Sequence, residues 1–194
     1  MRLLNIIFVG GIGVGKTSLM NCLIEKGMEN KFATLPLKGG GNVAEDYWND
    51  VKVLMCDCIQ VDCDCNVDVG VEFTRISEQM LSRCCSQNEL DHVVNVAVYC
   101  IQDEWGKVYE QNVRILRELN ASKANVVVAL TKADLCPFQD CQRMRDVLCS
   151  AIKSAWLLPC DIVETCVSEP TRKDNGSFGV LELKKRILSK MGGC

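Results

Sequence analysis

No apolar run in this chain is longer than a strand, so nothing in it resembles a transmembrane helix. There is no excess of basic charge either: 22 Lys and Arg stand against 25 Asp and Glu, a formal charge of −3. Electrostatics therefore give no case for a nucleic-acid partner. No internal repeat, low-complexity tract or clear linker interrupts the 194 residues, which fit one domain with a substantial core. Histidine occurs once, at His92 beside Asp91, and reads as structural. Trp48, Trp105 and Trp156 are scattered rather than patterned and read as local packing anchors. Position 2 is Arg2, not the glycine that myristoylation needs. The apolar residues 3–9 run straight into a glycine-rich loop, which does not suit a cleaved signal peptide. These absences make a cytosolic location the expectation.

Cysteine, by contrast, is abundant, with 14 in the chain. With no secretion signal, reduced thiols are expected rather than a disulfide framework. Cys22, Cys100 and Cys149 stand where a small hydrophobe would, and free cysteine packs as one. The run Cys56-Asp57-Cys58-Ile59-Gln60-Val61-Asp62-Cys63-Asp64-Cys65 supplies four thiolates, enough for a tetrahedral zinc. Its C-x-C pairs bite more tightly than the usual structural sites, and Cys56 and Cys58 would share one face of a strand. Core packing is the favoured account of them. The end Met191-Gly192-Gly193-Cys194, with Lys184, Lys185, Arg186 and Lys190 upstream, is not C-a-a-X. Membrane contact through a lipid there has weak support, because one such signal anchors poorly.

Residues Gly10-Gly11-Ile12-Gly13-Val14-Gly15-Lys16-Thr17 fit G-x-x-x-x-G-K-[ST] without a mismatch. A strand-like run, Leu3 to Val9, precedes them, and Ser18 to Ile24 follow as an apolar helix face, the context that the motif requires. The glycines let successive N–H groups point at one phosphate, and the helix N-terminus adds a positive dipole end. Lys16 can reach the β- and γ-phosphates, and the Thr17 hydroxyl can ligate Mg²⁺. A nucleoside triphosphate is the implied ligand.

Strands are expected at 3–9, 42–48, 51–57, 93–101, 124–130 and about 160–165, and helices at 16–26, 72–85, 106–119, 139–154 and 179–191. Phe73, Ile76, Met80 and Cys84 form one stripe, and Val108, Val113, Ile115, Leu116 and Leu119 a broader one. The runs at 93–101 and 124–130 are nearly all apolar, as strands covered on both faces are. The alternation predicts an α/β fold, a doubly wound, mostly parallel six-stranded sheet with helices on both faces. Ligands then sit at the carboxyl ends of the strands. Loops are expected at 28–42 and 168–178.

Thr131-Lys132-Ala133-Asp134 closes the fifth apolar strand and resembles the [NT]-K-x-D guanine motif of the GTPase superfamily. Guanine presents two adjacent donors, N1–H and its exocyclic amine, and one carboxylate accepts both as a fork. Adenine lacks that pair, so Asp134 would be desolvated without partners in its complex. The Lys132 stem can pack along the base while its head reaches the phosphate loop. Glu164-Thr165-Cys166-Val167 resembles the E-T-S-A segment of small GTPases, where a backbone N–H holds the guanine O6; a plain strand end is the alternative.

The resemblance covers nearly the whole chain, residues 1–194, as a Ras-like G domain with a short tail at 190–194. Val53 to Asp57 and the T-K-A-D-L-C-P run look nearer the interferon-induced GTPase-like group. It implies GTP or GDP with Mg²⁺ as ligands, and protein effectors or regulators that the residues do not name. On it, Gly10, Gly11, Gly13, Val14, Gly15, Lys16, Thr17 and Ser18 would hold the phosphates. Thr131, Lys132, Asp134, Cys166 and Val167 would hold the base. Thr17, Thr34 and Asp57 would hold the metal, and Lys16, Thr34 and Gln60 would serve catalysis.

The match weakens at the catalytic elements. The family's D-x-x-G reads Asp57-Cys58-Ile59-Gln60 here, with Gln where Gly belongs. Val61 takes the place of the water-orienting Gln and cannot orient water; Gln60 is the candidate one residue early. Thr34 is the sole threonine between Lys16's own motif and Gly39-Gly40-Gly41, which makes it the switch candidate beside a plain loop reading. Arg75 and Arg83 read as helix-surface residues, and no arginine finger can be assigned. Slow GTP hydrolysis is expected, with segments 28–42 and 58–70 ordered or released by nucleotide state. The alternatives are a non-hydrolysing GTP-binding interaction module and, third, a P-loop ATPase or small-molecule kinase.

Overall fold

The first strand, β1 (Arg2–Gly10), is buried from Leu3 to its end, because alternate residues feed two separate cores. Leu3, Ile7 and Val9 point to one face, and Leu4, Ile6 and Phe8 to the other. The computed structural model describes residues 2–24, 35–36, 42–61, 67–86, 93–102, 110–151, 161–167 and 177–192. Among them, β2 (Leu35–Pro36), β3 (Asn42–Trp48), β4 (Val51–Gln60), β5 (Val93–Gln102), β6 (Asn125–Thr131) and β7 (Ile162–Glu164) join β1 in one sheet. Its order is β2-β3-β4-β1-β5-β6-β7. The central pairings β4-β1-β5-β6-β7 are parallel, whereas β3 runs antiparallel to β4 and β2 to β3.

Helices α2 (Val69–Cys84), α3 (Glu110–Ala121) and α4 (Phe138–Ala151) cover one face, inserting Phe73, Ile76, Met80, Ile115, Leu116, Leu119, Met144 and Leu148. Helices α1 (Lys16–Leu23) and α5 (Val180–Ser189) cover the other with Leu19, Met20, Leu23, Leu183 and Ile187. Each fully buried side chain of this size contributes about 1.5–3 kcal/mol by leaving water. This is the doubly wound arrangement the sequence pattern predicts, with the carboxyl ends of β1, β5 and β6 along one rim.

Several boundaries differ from the sequence expectation. The sheet has seven strands among the described residues rather than six, the extra one being the two-residue β2. Helix α2 starts at Val69, because Asp68 caps it by accepting the Val71 amide at 3.0 Å. The Val69 amide also donates to Glu118 on α3 at 2.8 Å. Strand β4 continues to Gln60 instead of ending at Asp57. The segment 58–70, expected to be ordered or released by nucleotide state, is therefore sheet at its start and helix at its end, with 62–66 outside the described residues. Cys22 is exposed rather than packed, whereas Cys56 and Cys100 are buried. Thr34, Cys63, Cys65, His92, Trp105, Val108 and Trp156 lie outside the described residues.

Two of the buried polar groups tie elements of the sheet and helices together. Asn5, fully buried, donates to Ser77 at 2.7 Å and to Asn95 at 2.8 Å, tying β1, β5 and α2 together. Trp48 is fully buried under Lys184, whose ammonium lies 4.8 Å from the ring centre, and its indole N–H donates to buried Asp46 at 2.9 Å. Trp48 thus anchors the β3–β4 hairpin to α5.

Candidate functional site

The glycine-rich loop joins β1 to α1 at the carboxyl rim of the sheet. Gly10 must be glycine for lack of room: a Cβ there would lie 2.5 Å from the Cys100 carbonyl oxygen on β5. Gly15 begins α1 at φ 95°, a left-handed conformation that side chains resist, and no side chain caps the helix. The first-turn amides of α1 are thus left for an anion. Lys16 is buried to 6% exposure, and its ammonium donates to the Gly10 and Gly11 carbonyls at 3.0 and 2.8 Å. The charge is held at the glycine-rich loop. Beneath it, burial pushes the Cys100 thiol up to about 12, only partly opposed by nearby Lys16. Cys100 is an uncharged filler at neutral pH.

Thr17, on the first turn of α1, donates its hydroxyl to the Asp57 carboxylate near the end of β4. A hydroxyl and a carboxylate brought together are hard oxygen donors of the kind that suit magnesium. Among the described residues, no group of three or more His, Cys, Asp or Glu could hold a metal ion. Of the four-thiolate cluster, Cys56 is core, and Cys63 and Cys65 lie outside the described residues.

The register between β1 and β4 slips directly after Asp57. Phe8 pairs with Asp57, but Val9 pairs with Ile59, so Cys58 is one extra residue, a β-bulge. The slip reverses the alternation beyond it. Ile59 and Val61 join the core under α2 and α3, and Gln60, exposed, returns to the α1 face that Asp57 occupies. The Val61 amide then donates to the Gly10 carbonyl at 3.2 Å.

At the other end of the rim, Thr131 donates its hydroxyl to the Val14 carbonyl at 2.6 Å. This bond joins the T-K-A-D segment to the glycine-rich loop across 117 residues of chain. Lys132 follows with φ 55°, a left-handed backbone rare for a side-chain-bearing residue. Its carbonyl accepts the Leu135 amide at 3.0 Å, and its ammonium, expected to reach the glycine-rich loop, donates instead to the Gln102 side chain at 2.9 Å, at the end of β5. Gly15, Ser18, Leu19, Thr131, Lys132, Asp134, Thr165 and Val167 line a concave pocket of about 80 Å³. The Asp134 carboxyl is exposed there. Cys166 stands behind this wall: it is 2% exposed, and its amide donates to the Phe178 carbonyl at 3.1 Å.

The structure thus brings Gly15, Lys16, Thr17, Ser18, Asp57, Thr131, Lys132, Asp134 and Val167 to one rim, with Gln60 at its β4 end. Sequence reasoning did not single out Thr165 or Gln102. Gln102 carried a signal, as the first polar residue after the apolar run of β5, at the strand's carboxyl end.

No protein-family model matches the chain, and no curated protein matches it in sequence. Solved structures do. The G domain of the FeoB iron transporter of T. maritima is similar at a TM-score of 0.57 and 17% identity, covering 97% of this chain and 99% of that one. Toc33 from Arabidopsis thaliana, in complex with Mg²⁺ and GMPPNP, is similar at 0.59 and 14%, covering 99% and 85%. The fold is that of a G domain. A probable GTP-binding protein, EngB, is similar at 0.54 and 17%, covering 98% and 99%. These likenesses lend no support to a place in the interferon-induced group.

Proposed function

We infer that this chain binds guanine nucleotide with Mg²⁺ and acts as a switch that hydrolyses GTP slowly. The observation that carries the reading is the Thr131–Val14 hydrogen bond of 2.6 Å, because it holds the base-reading segment against the phosphate loop. Lys16 and the loop amides would neutralise phosphate charge, and Asp134 would accept the two guanine donors. Val167 lines the pocket wall, and its amide would be the one offered to the base. Thr17 and Asp57 would hold magnesium, which supplies charge neutralisation across the β- and γ-phosphates when bound. Gln60 is the residue on hand for water, since the bulge at Cys58 returns it to the Asp57 face. The likeness to G domains is a likeness of fold, and the base assignment rests on the residues themselves.

Competition for a fluorescent GDP tests the reading. Unlabelled GTP is expected to displace it at concentrations at least a hundredfold below those of ATP, the discrimination expected of a buried two-bond recognition. Equal displacement by both would remove the guanine assignment and favour an ATPase or small-molecule kinase.

A second reading, a GTP-binding module without hydrolysis, is favoured by Val61, which is 7% exposed within the core and tied by its amide to Gly10. Single-turnover hydrolysis separates the two. Slow cleavage that falls about tenfold or more in Gln60→Ala supports the switch. Cleavage no faster than in Lys16→Ala supports the module.

A further inference from the structure

We propose that Gln102 is a positioning residue for base recognition, holding Lys132 along the wall of the nucleotide pocket. The proposal rests on the guanine-nucleotide reading above and extends it to a residue outside the phosphate and T-K-A-D motifs. Gln102 ends β5 and pairs in register with Thr131 at the end of β6. Val98 and Cys100 belong to the core on the α1 face, so alternation puts Gln102 on that same face. From there its Oε1 accepts the Lys132 ammonium at 2.9 Å, a half-buried, charge-assisted bond.

Lys132 needs such a restraint. Its backbone sits in the left-handed region, and its side chain is a long, flexible stem with a strongly hydrated head. Left to water, that head would lift the stem away from Asp134 and Thr131. Gln102 pins it at its far end, so the methylene stem forms a fixed apolar wall beside the two residues that read and tether the base. An amide suits the task because it accepts from an ammonium without adding negative charge near Asp134 and the phosphates.

The test uses the full chain and fluorescent GDP, with GTP and ATP as competitors, on wild type, Gln102→Leu, Gln102→Glu, Lys132→Met and the Gln102→Leu/Lys132→Met double variant. Gln102→Leu is expected to weaken GDP and GTP equally, by about tenfold, because the freed Lys132 stem must then be ordered when nucleotide binds. Its thermal midpoint without nucleotide should match wild type, which a merely structural role would not allow. Gln102→Glu, which keeps an acceptor but adds negative charge near the phosphates, should recover only part of the affinity, and binding as weak as in Gln102→Leu would count against the proposal. The double variant should bind no more weakly than Lys132→Met alone, because both changes remove one restraint. GDP affinity equal to wild type in Gln102→Leu, or full additivity in the double variant, overturns the proposal and leaves the guanine reading standing. Wild type failing to bind GDP removes both.

Discussion

Asp134→Ala is expected to lose the preference for GTP over ATP, with GTP affinity falling about a hundredfold or more and ATP affinity barely changing. The carboxyl stands on the wall of a pocket whose other lining is Gly15, Ser18, Leu19, Thr131, Lys132, Thr165 and Val167, none of which is an acceptor pair for two adjacent donors. Alanine leaves the guanine N1–H and exocyclic amine desolvated without partners, whereas adenine loses nothing it had. Asp134→Asn sharpens the test. It presents one donor and one acceptor, which suits a purine carrying a carbonyl where guanine carries its amine. Competition with xanthine and guanine nucleotides should therefore reverse in rank. A variant that keeps the guanine preference would show that another group reads the base.

Lys16→Ala is expected to weaken GTP and GDP by about a hundredfold or more while leaving the ratio of GTP to ATP as it was. The ammonium is 6% exposed and already held at the loop by the Gly10 and Gly11 carbonyls. Binding therefore costs little reorganisation, and removing the charge exposes the phosphates' full repulsion. The fold should persist, since the buried Gly10 carbonyl keeps the Val61 amide as a donor at 3.2 Å and Gly11 is only half-buried. Isothermal titration with each nucleotide, together with the thermal midpoint of the free protein, measures both statements. A variant that binds as wild type does would place the phosphates elsewhere. On the proposed reading the two substitutions would divide the site: one would alter which base is chosen, the other how tightly any triphosphate is held.

How much of this was legible beforehand depends on whether the signal was local. The phosphate loop was, because its glycines, lysine and threonine act through backbone geometry within eight residues. The buried strands 93–101 and 124–130 were too, since a face covered by a helix leaves no reason for polar residues. Thr131-Lys132-Ala133-Asp134 was readable as a base motif from four residues. Its meeting with Val14 was not, because that hydrogen bond of 2.6 Å joins positions 117 residues apart in the chain. Cys22 misled because an apolar-looking position in a short helix carries no label for the solvent side.

By itself, then, the sequence determined the α/β winding and the glycine-rich loop that follows β1, and it offered the residue types proposed for phosphate and base, since period and motif spacing are properties of the chain alone. Only the tertiary structure decided which face each residue beyond Asp57 presents. One extra residue, Cys58, reverses the alternation, burying Val61 and bringing Gln60 back beside the phosphate loop. It likewise decided the partner of Lys132, because Gln102 is 30 residues distant in the chain and becomes its neighbour only through the pairing of β5 with β6. A bulge and a register are set by the competition between neighbouring strands for hydrogen bonds and apolar cover, and no single strand's residues encode that outcome.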